Sequence, residues 1–390
     1  MKVHRYKSHS AKALSQARIH RFWWGVSQLL VLLATALTLS SCDSLRSDDE
    51  NPPLVSRVIV ANGGNFSDQN GSITSFDPSS RIVDQLPAMS GFLQGIAGHE
   101  GKLYALLNTF SVGRIDVLDT ESFGITAQIN NVVAPRSIVF ASESAYVTNF
   151  VFGSSGHVAV ISLESGSVIR TIEVGSNPEG MIISGTMLYV ANSGAGNTIS
   201  IIDMGTNDVD TRSVACDAPR DLFGGDGNDI IVACTGKTVY NDDFSEIIEQ
   251  TNGSVLFFGA SLDVFKGRID LDVQLGSTNG TGIGTYIDST GELYLVDGTT
   301  NTIFRVDTIT QRITREVQLD SASGLTGISG IAYDDQDERL YVGRFPISSA
   351  GPFPDFTTSG TVEIYDRNFE VSDSFLAGIS ISQILLLEEK

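Results

Sequence analysis

"LYVANSGAGNTISIIDMGTNDVDTRSV", residues 188–214, reads as three short strands separated by turns. Apolar and polar side chains alternate in LYVAN and TISIID, the period-two pattern of a half-buried strand. Clusters of Gly, Asn, Ser and Asp between them are turn signals. The opening phrase recurs along the chain. Aligned on its central residue, it returns at Ile59 (RVIVAN), Tyr104 (KLYALLN), Tyr146 (AYVTN), Tyr189 (LYVAN), Ile231 (DIIVAC), Tyr294 (LYLVD) and Tyr341 (LYVGR). The steps are 45, 42, 43, 42, 63 and 47 residues.

A strand-only repeat in the forties is the length of one four-stranded sheet, so the pattern predicts an all-β, seven-bladed β-propeller. Each unit supplies a second strand (TISIID, HVAVIS, RIDVLD, TIFRVD, TVEIYD), a third (VIRTIEVG, ITREVQL) and a fourth after Gly or Pro (PEGMIIS, PRSIVF, SGIAYD). The chain enters on a phrase strand and ends on ISISQILLLEE. Residues 381–388 are therefore expected beside residues 56–62, closing the first blade from both termini and leaving no open sheet edge. The repeated Tyr reads as inter-blade packing. Tyr146-Val147-Thr148-Asn149 is itself "YVTN", and the repeat over residues 55–390 resembles the YVTN family of bacterial and archaeal β-propellers. A fold shared by many activities does not name one of them.

Residues 1–21 carry six Lys or Arg and no acid, and an apolar run covers 22–39. This reads as a secretory signal over residues 1–41. Leu39-Ser40-Ser41-Cys42 resembles a bacterial lipobox, which implies lipidation of Cys42 and an outer-membrane lipoprotein. Residues 42–54 read as an acidic tether. Ser47-Asp48-Asp49-Glu50 resembles the export signal of surface lipoproteins, whereas Asp43 next to the cysteine resembles an inner-membrane retention signal; both readings stay open. Without residues 1–41 the chain keeps 19 basic against 46 acidic side chains, a charge that repels nucleic acid and anionic lipid.

Catalytic signatures are absent. Beyond the signal the histidines are His99 and His157, both in turn-like contexts, with no zinc-type spacing and no nucleophile-elbow sequence near them. The acidic run YDDQDE (333–338) lacks the pattern of a strong Ca²⁺ loop, and GSTNGTGIGT lacks the strand-to-helix setting of a phosphate loop. The sequence thus predicts no enzyme, no cofactor and no metal. Cys216 and Cys234 end strands of successive units on one face, where a disulfide is possible in an oxidising compartment.

In a propeller the turns after the phrase strand share a face with the turns entering the innermost strands. This sequence places its insertions there: residues 235–253 and 344–360, with shorter turns elsewhere. Long loops on a rigid scaffold are where binding residues concentrate. Phe66, Phe110, Phe150, Phe152, Phe345, Phe353 and Phe356 all fall in them, suggesting an apolar platform or packing of loops onto the ring. APRS, NPEG and APRD align Arg136, Glu179 and Arg220 near the central mouth, with Gln94 and Ser329 at equivalent positions. The two guanidiniums suit an amide- or phosphate-bearing ligand, or ion pairs with Glu179 and Asp221. Lipoproteins of the YVTN type include propellers that catch cobalamin and pass it to a TonB-dependent transporter. That resemblance implies a non-catalytic corrinoid-capture protein; the alternative is a protein-interaction or surface-layer-like propeller.

Overall fold

The computed structural model describes residues 54–388 apart from 111, 152, 195 and 322; the signal, the tether, Cys42 and Phe152 lie outside the described residues. Seven antiparallel sheets of four strands surround a central axis. The first blade runs Val83–Gln85, Ser72–Phe76, Val55–Asn62, Ile381–Glu388 from the outside inward. Innermost strands of the other six are Phe92–His99, Pro135–Ala141, Pro178–Ser184, Pro219–Gly224, Gly284–Ile287 and Ile331–Asp334, in blades 2 to 7. The seven recurring phrases form the second strand of every blade, as the period required.

Closure falls where the termini were expected. Val55 pairs with Glu388 and Asn62 with Ile381, in an antiparallel ladder with a register irregularity near each end. This pairing belongs to one blade yet joins residues more than 300 positions apart, so both termini are locked into blade 1 and the second strand Val55–Asn62 is paired on both sides.

The core consists of seven separate clusters, one between each pair of neighbouring blades. Tyr104 packs among Ile138, Val147 and Ile161 of the next blade, and Tyr146 among Met181, Leu188 and Val190. Tyr189 meets Leu222 and Val232; Tyr294 meets Ile331 and Val342; Tyr341 meets Val58, Val60 and Ile384, which carries the contact across the closure. Ile59 and Ile231 play the same part where the tyrosine is missing. Burying each such side chain stabilises its interface by about 1.5–3 kcal/mol, so the repeated residue is what holds blade to blade.

Turns between the third and fourth strands show why Asp recurs after them. Asp77, Asp119, Asp203, Asp307 and Asp366 each accept main-chain N–H groups from the residues that follow, through Oδ1. These are Asx turns, in which the carboxylate stands in for a backbone acceptor. The donated N–H groups hold the Asp119, Asp307 and Asp366 carboxyls below the ordinary range. Asp334 in the YDDQDE run also accepts the Gln336 and Asp337 N–H groups, which accounts for that acidic stretch as a turn, although burial holds its own carboxyl above the ordinary range.

The long step between blades 5 and 6 has two sources. Residues 235–253 fold into a hairpin of their own, Thr238–Tyr240 against Ile247–Gln250, with Phe244 exposed near its tip. The second source is the connection from Phe265–Asp270 to Gly284–Ile287. Its residues 276–283 cross the central mouth as a strap.

Candidate functional site

The strap is held from four blades. The Thr278 N–H donates to Ile328 O of blade 7 at 2.7 Å, and the Asn279 side-chain amide donates to Ser380 Oγ beside the closing strand at 2.9 Å. Arg220 of blade 5 donates twice to Thr281 O, from Nε at 3.1 Å and Nη2 at 2.9 Å. A Cβ on Gly280 would come within 2.8 Å of Ser382 O, and one on Gly95 of blade 2 would lie 3.8 Å from Thr281 Oγ1. The stretch GSTNGTGI is glycine-rich because it lies against several inner strands at once. It is a cover, and sequence reasoning dismissed it as a phosphate loop without finding that role.

Two cavities result. On the loop-rich side, Arg220, Thr235, Thr238, Gln274 and Ser277 line a cleft of about 360 Å³ between the hairpin insertion and the strap. Within the axis, a well of about 780 Å³ runs from Gly95, Thr281 and Gly282 under the strap to His99, Phe140, Tyr333 and Glu388 on the opposite face. Arg136, Glu179 and Asp221 line its closed end.

The charged residues there are bound to one another. Arg136 Nε donates to both carboxylate oxygens of Glu179 at 3.0 Å, and Arg220 Nη1 lies 3.4 Å from Glu179 Oε1. Of the two sequence readings of the guanidiniums, the ion pair with Glu179 is the arrangement found. Asp221 accepts the Ile283 N–H at 2.6 Å, tying the end of the strap to blade 5. Burial pushes its carboxyl up to about 6, against the lowering effect of that N–H and of Arg220.

Gln94 and Ser329, aligned with these positions in sequence, do not reach the mouth. Gln94 is buried with its carbonyl accepting from Asn108, and the Ser329 hydroxyl donates to Ile381 O at 2.6 Å. Alignment by sequence could not show this, because blade 7 breaks its inner strand. Gly327 and Gly330 both take positive φ, and Leu325–Thr326 pairs separately with the far end of the second strand.

The phenylalanines divide. Phe66 and Phe110 are 51% and 69% exposed and meet edge to face at 5.3 Å, with Phe92 beneath Phe66 at 6.2 Å. Phe353 and Phe356 are exposed on blade 7. Phe345 is fully buried within the strand Arg339–Pro346, with Phe356 over it at 5.1 Å, so it packs the loop onto the ring instead of facing solvent. Phe150 is half-buried, and its N–H donates to Ala134 O. Exposed aromatic rings thus gather on the loop-rich face at three places: blades 1 and 2, blade 7, and the hairpin of blade 5, where Tyr240 and Phe244 meet at 6.2 Å.

Cys216 and Cys234 form a disulfide with Cα atoms 6.2 Å apart, joining blades 4 and 5 next to the cleft. His157 lies in a regular strand, its imidazole pKa lowered by burial. His99 stacks on Phe140 at 4.2 Å and stands at the open end of the well. The sequence reading set His99 in a turn-like context; it is the last residue of the inner strand Phe92–His99. Among the described residues, no group of three or more His, Cys, Asp or Glu is set to hold a metal ion.

No family model matches the chain, and no curated protein matches it. The YVTN resemblance therefore rests on the repeated phrase. Solved structures do match. A functionally unknown protein from Desulfotomaculum acetoxidans superposes with a TM-score of 0.62 at 12% identity, over 86% of this chain and 99% of its own. A hypothetical selenium-binding protein from Sulfolobus tokodaii gives 0.63 at 12% identity, covering 86% and 94%. A putative 6-phosphogluconolactonase from Bacteroides fragilis gives 0.58 at 13% identity, covering 85% and 98%. At these identities the likeness shows the propeller fold alone.

Proposed function

We propose that the protein is a lipid-anchored, non-catalytic capture propeller of the bacterial outer membrane, binding its ligand on the loop-rich face. The observation that carries this reading is the concentration of exposed rings and the polar cleft on that single face. Large exposed apolar patches mark binding surfaces, and Phe66, Phe110, Phe353 and Phe356 supply them here. The chain enters the ring at Val55, paired with Glu388, at the opposite face.

The ligand class we favour is a corrinoid, whose broad apolar ring suits the exposed aromatic side chains of the loop-rich face and whose peripheral amides suit polar groups on that same face. A TonB-dependent transporter would then be the recipient. A non-catalytic role is supported by the state of the buried carboxylates, since Glu179 is engaged by two guanidiniums and Asp221 by the Ile283 N–H. A protein-docking function is the second reading, favoured by the 69% exposure of Phe110, which a small ligand alone would not require.

Titration of the full chain in detergent with cyanocobalamin, followed by corrin absorbance, tests the first reading. Saturable binding in the micromolar range or tighter is expected. No change in the spectrum at high micromolar corrinoid, together with a protein that co-purifies in detergent, would replace capture with docking.

A further inference from the structure

The well behind the strap is separate from the capture face, and its chemistry is not used by the function proposed above. Its volume of about 780 Å³ lies within the range of small-molecule sites. One end is closed by the strap and the other is open, so a ligand could be enclosed on all sides but one.

Several polar groups on its walls make no hydrogen bond among the described residues. Gln383 Oε1 accepts the Ile96 N–H at 2.9 Å, which fixes the side chain and leaves Nε2 uncommitted. Asp221 accepts through Oδ2 and leaves Oδ1 uncommitted. The hydroxyls of Ser137 and Thr285 also line the well without a partner. Donors and acceptors that are held in place yet unpaired form a recognition surface, because water must satisfy them until something else does.

Charge selects the class of ligand. Arg136, Glu179 and Asp221 line the closed end, and Arg220, which faces the cleft on the other side of the strap, pairs with Glu179, so the four charges sum to zero when all are ionised. On the face of the open end the turns leaving the inner strands carry Glu100, Glu143, Asp226, Asp288 and Asp335, against Arg57 and Lys102, and Glu388 lines the entrance itself. That ring of carboxylates repels anions. A cation that passed it would meet Arg136 at the floor. A neutral molecule avoids both penalties.

We propose that the central well is a second binding site, for a small neutral molecule rich in hydroxyl or amide groups, entered from the face opposite the capture surface. Ser137, Thr285, Gln383 and Asp221 would contact it directly.

The test is ligand-observed saturation-transfer NMR on the full chain in detergent, with myo-inositol and N-acetylglucosamine as neutral probes, gluconate as an anion and putrescine as a cation. The expected result is saturable transfer to at least one neutral probe, and none to the charged ones at equal concentration. Ser137→Ala combined with Thr285→Val removes two hydroxyls while keeping shape, and should weaken the neutral probe at least fivefold. Each single variant is measured as well, in case the double variant does not fold. Transfer to gluconate or putrescine but not to either neutral probe would overturn the proposal. So would absence of transfer to both neutral probes, or affinity unchanged in folded variants. A parallel corrin titration reads the capture face, so failure of one site is distinguishable from failure of the other.

Discussion

Replacing Glu179 by Gln removes the charge that holds two guanidiniums under the strap. The Glu179 side chain is 7% exposed and those of Arg136 and Arg220 are 20%. Its carboxylate lies 2.9 Å from Arg136 Nη2 and 3.4 Å from Arg220 Nη1. Removing one partner of a buried ion pair costs about 3–5 kcal/mol. Gln keeps the volume and one acceptor oxygen, and Arg136 borders the well while Arg220 borders the cleft, each part-exposed, so the lower end of that range, about 3 kcal/mol, is the expected loss. Asp221 should respond in turn. Burial is the main cause of its raised pKa, with Arg220 opposing and Glu179 adding a smaller upward effect, so loss of the Glu179 charge lowers it modestly from about 6. Urea unfolding of the full chain at pH 5 and pH 7 reads both effects, as a lower midpoint at unchanged slope and as a smaller difference between the two pH values. A loss of under about 1 kcal/mol at pH 7 would refute the charge arrangement described here.

Asp221 itself makes a pH prediction of unusual sign. Its folded pKa of about 6 lies above the ordinary 3.8, so the folded state takes up the proton first as pH falls. Its contribution to stability therefore grows as pH drops from 6 toward 3.8, by about 1 kcal/mol between pH 7 and pH 5. Asp221→Asn should abolish that component in urea unfolding; a variant that keeps the full pH dependence would show the carboxyl is not its source. Cys216→Ser with Cys234→Ser opens a link across 18 residues, and should cost about 3 kcal/mol by loss of the loop constraint, read as a lower urea midpoint. Equal stability in oxidised and reduced wild type would contradict it. Deleting residues 381–388 removes the inner strand of blade 1, and should abolish cooperative unfolding by circular dichroism; a variant with a wild-type melt would mean the ring closes otherwise.

The fold was legible because its cause is periodic. A phrase returning at Tyr104, Tyr146, Tyr189, Tyr294 and Tyr341 reports an interface that every blade must make with the next, and each of those tyrosines is buried there. The pairing of residues 381–388 with the first blade followed from the same count. What periodicity could not show is what departs from it. The strap at 276–283 belongs to no repeat, and its partners lie in blades far away in sequence. Nor could a loop position tell Phe345, buried beneath Phe356, from Phe110, which is open to solvent. The ion pair of Arg136 with Glu179 was one of two readings that residue identity allows, and only distance separates them. Asp recurring at turns was visible as a pattern; its Asx geometry explains it without a ligand.

The most direct measurement of the capture account is a corrin absorbance titration of three full-length proteins in detergent: wild type, Phe66→Ala with Phe110→Ala, and Ser137→Ala with Thr285→Val. The account predicts saturable binding to wild type, at least tenfold weaker binding to the phenylalanine pair, and unchanged binding to the hydroxyl pair, since those hydroxyls line the well on the far side of the strap. Binding that survives loss of both exposed rings, or that fails only when the well is altered, would contradict it.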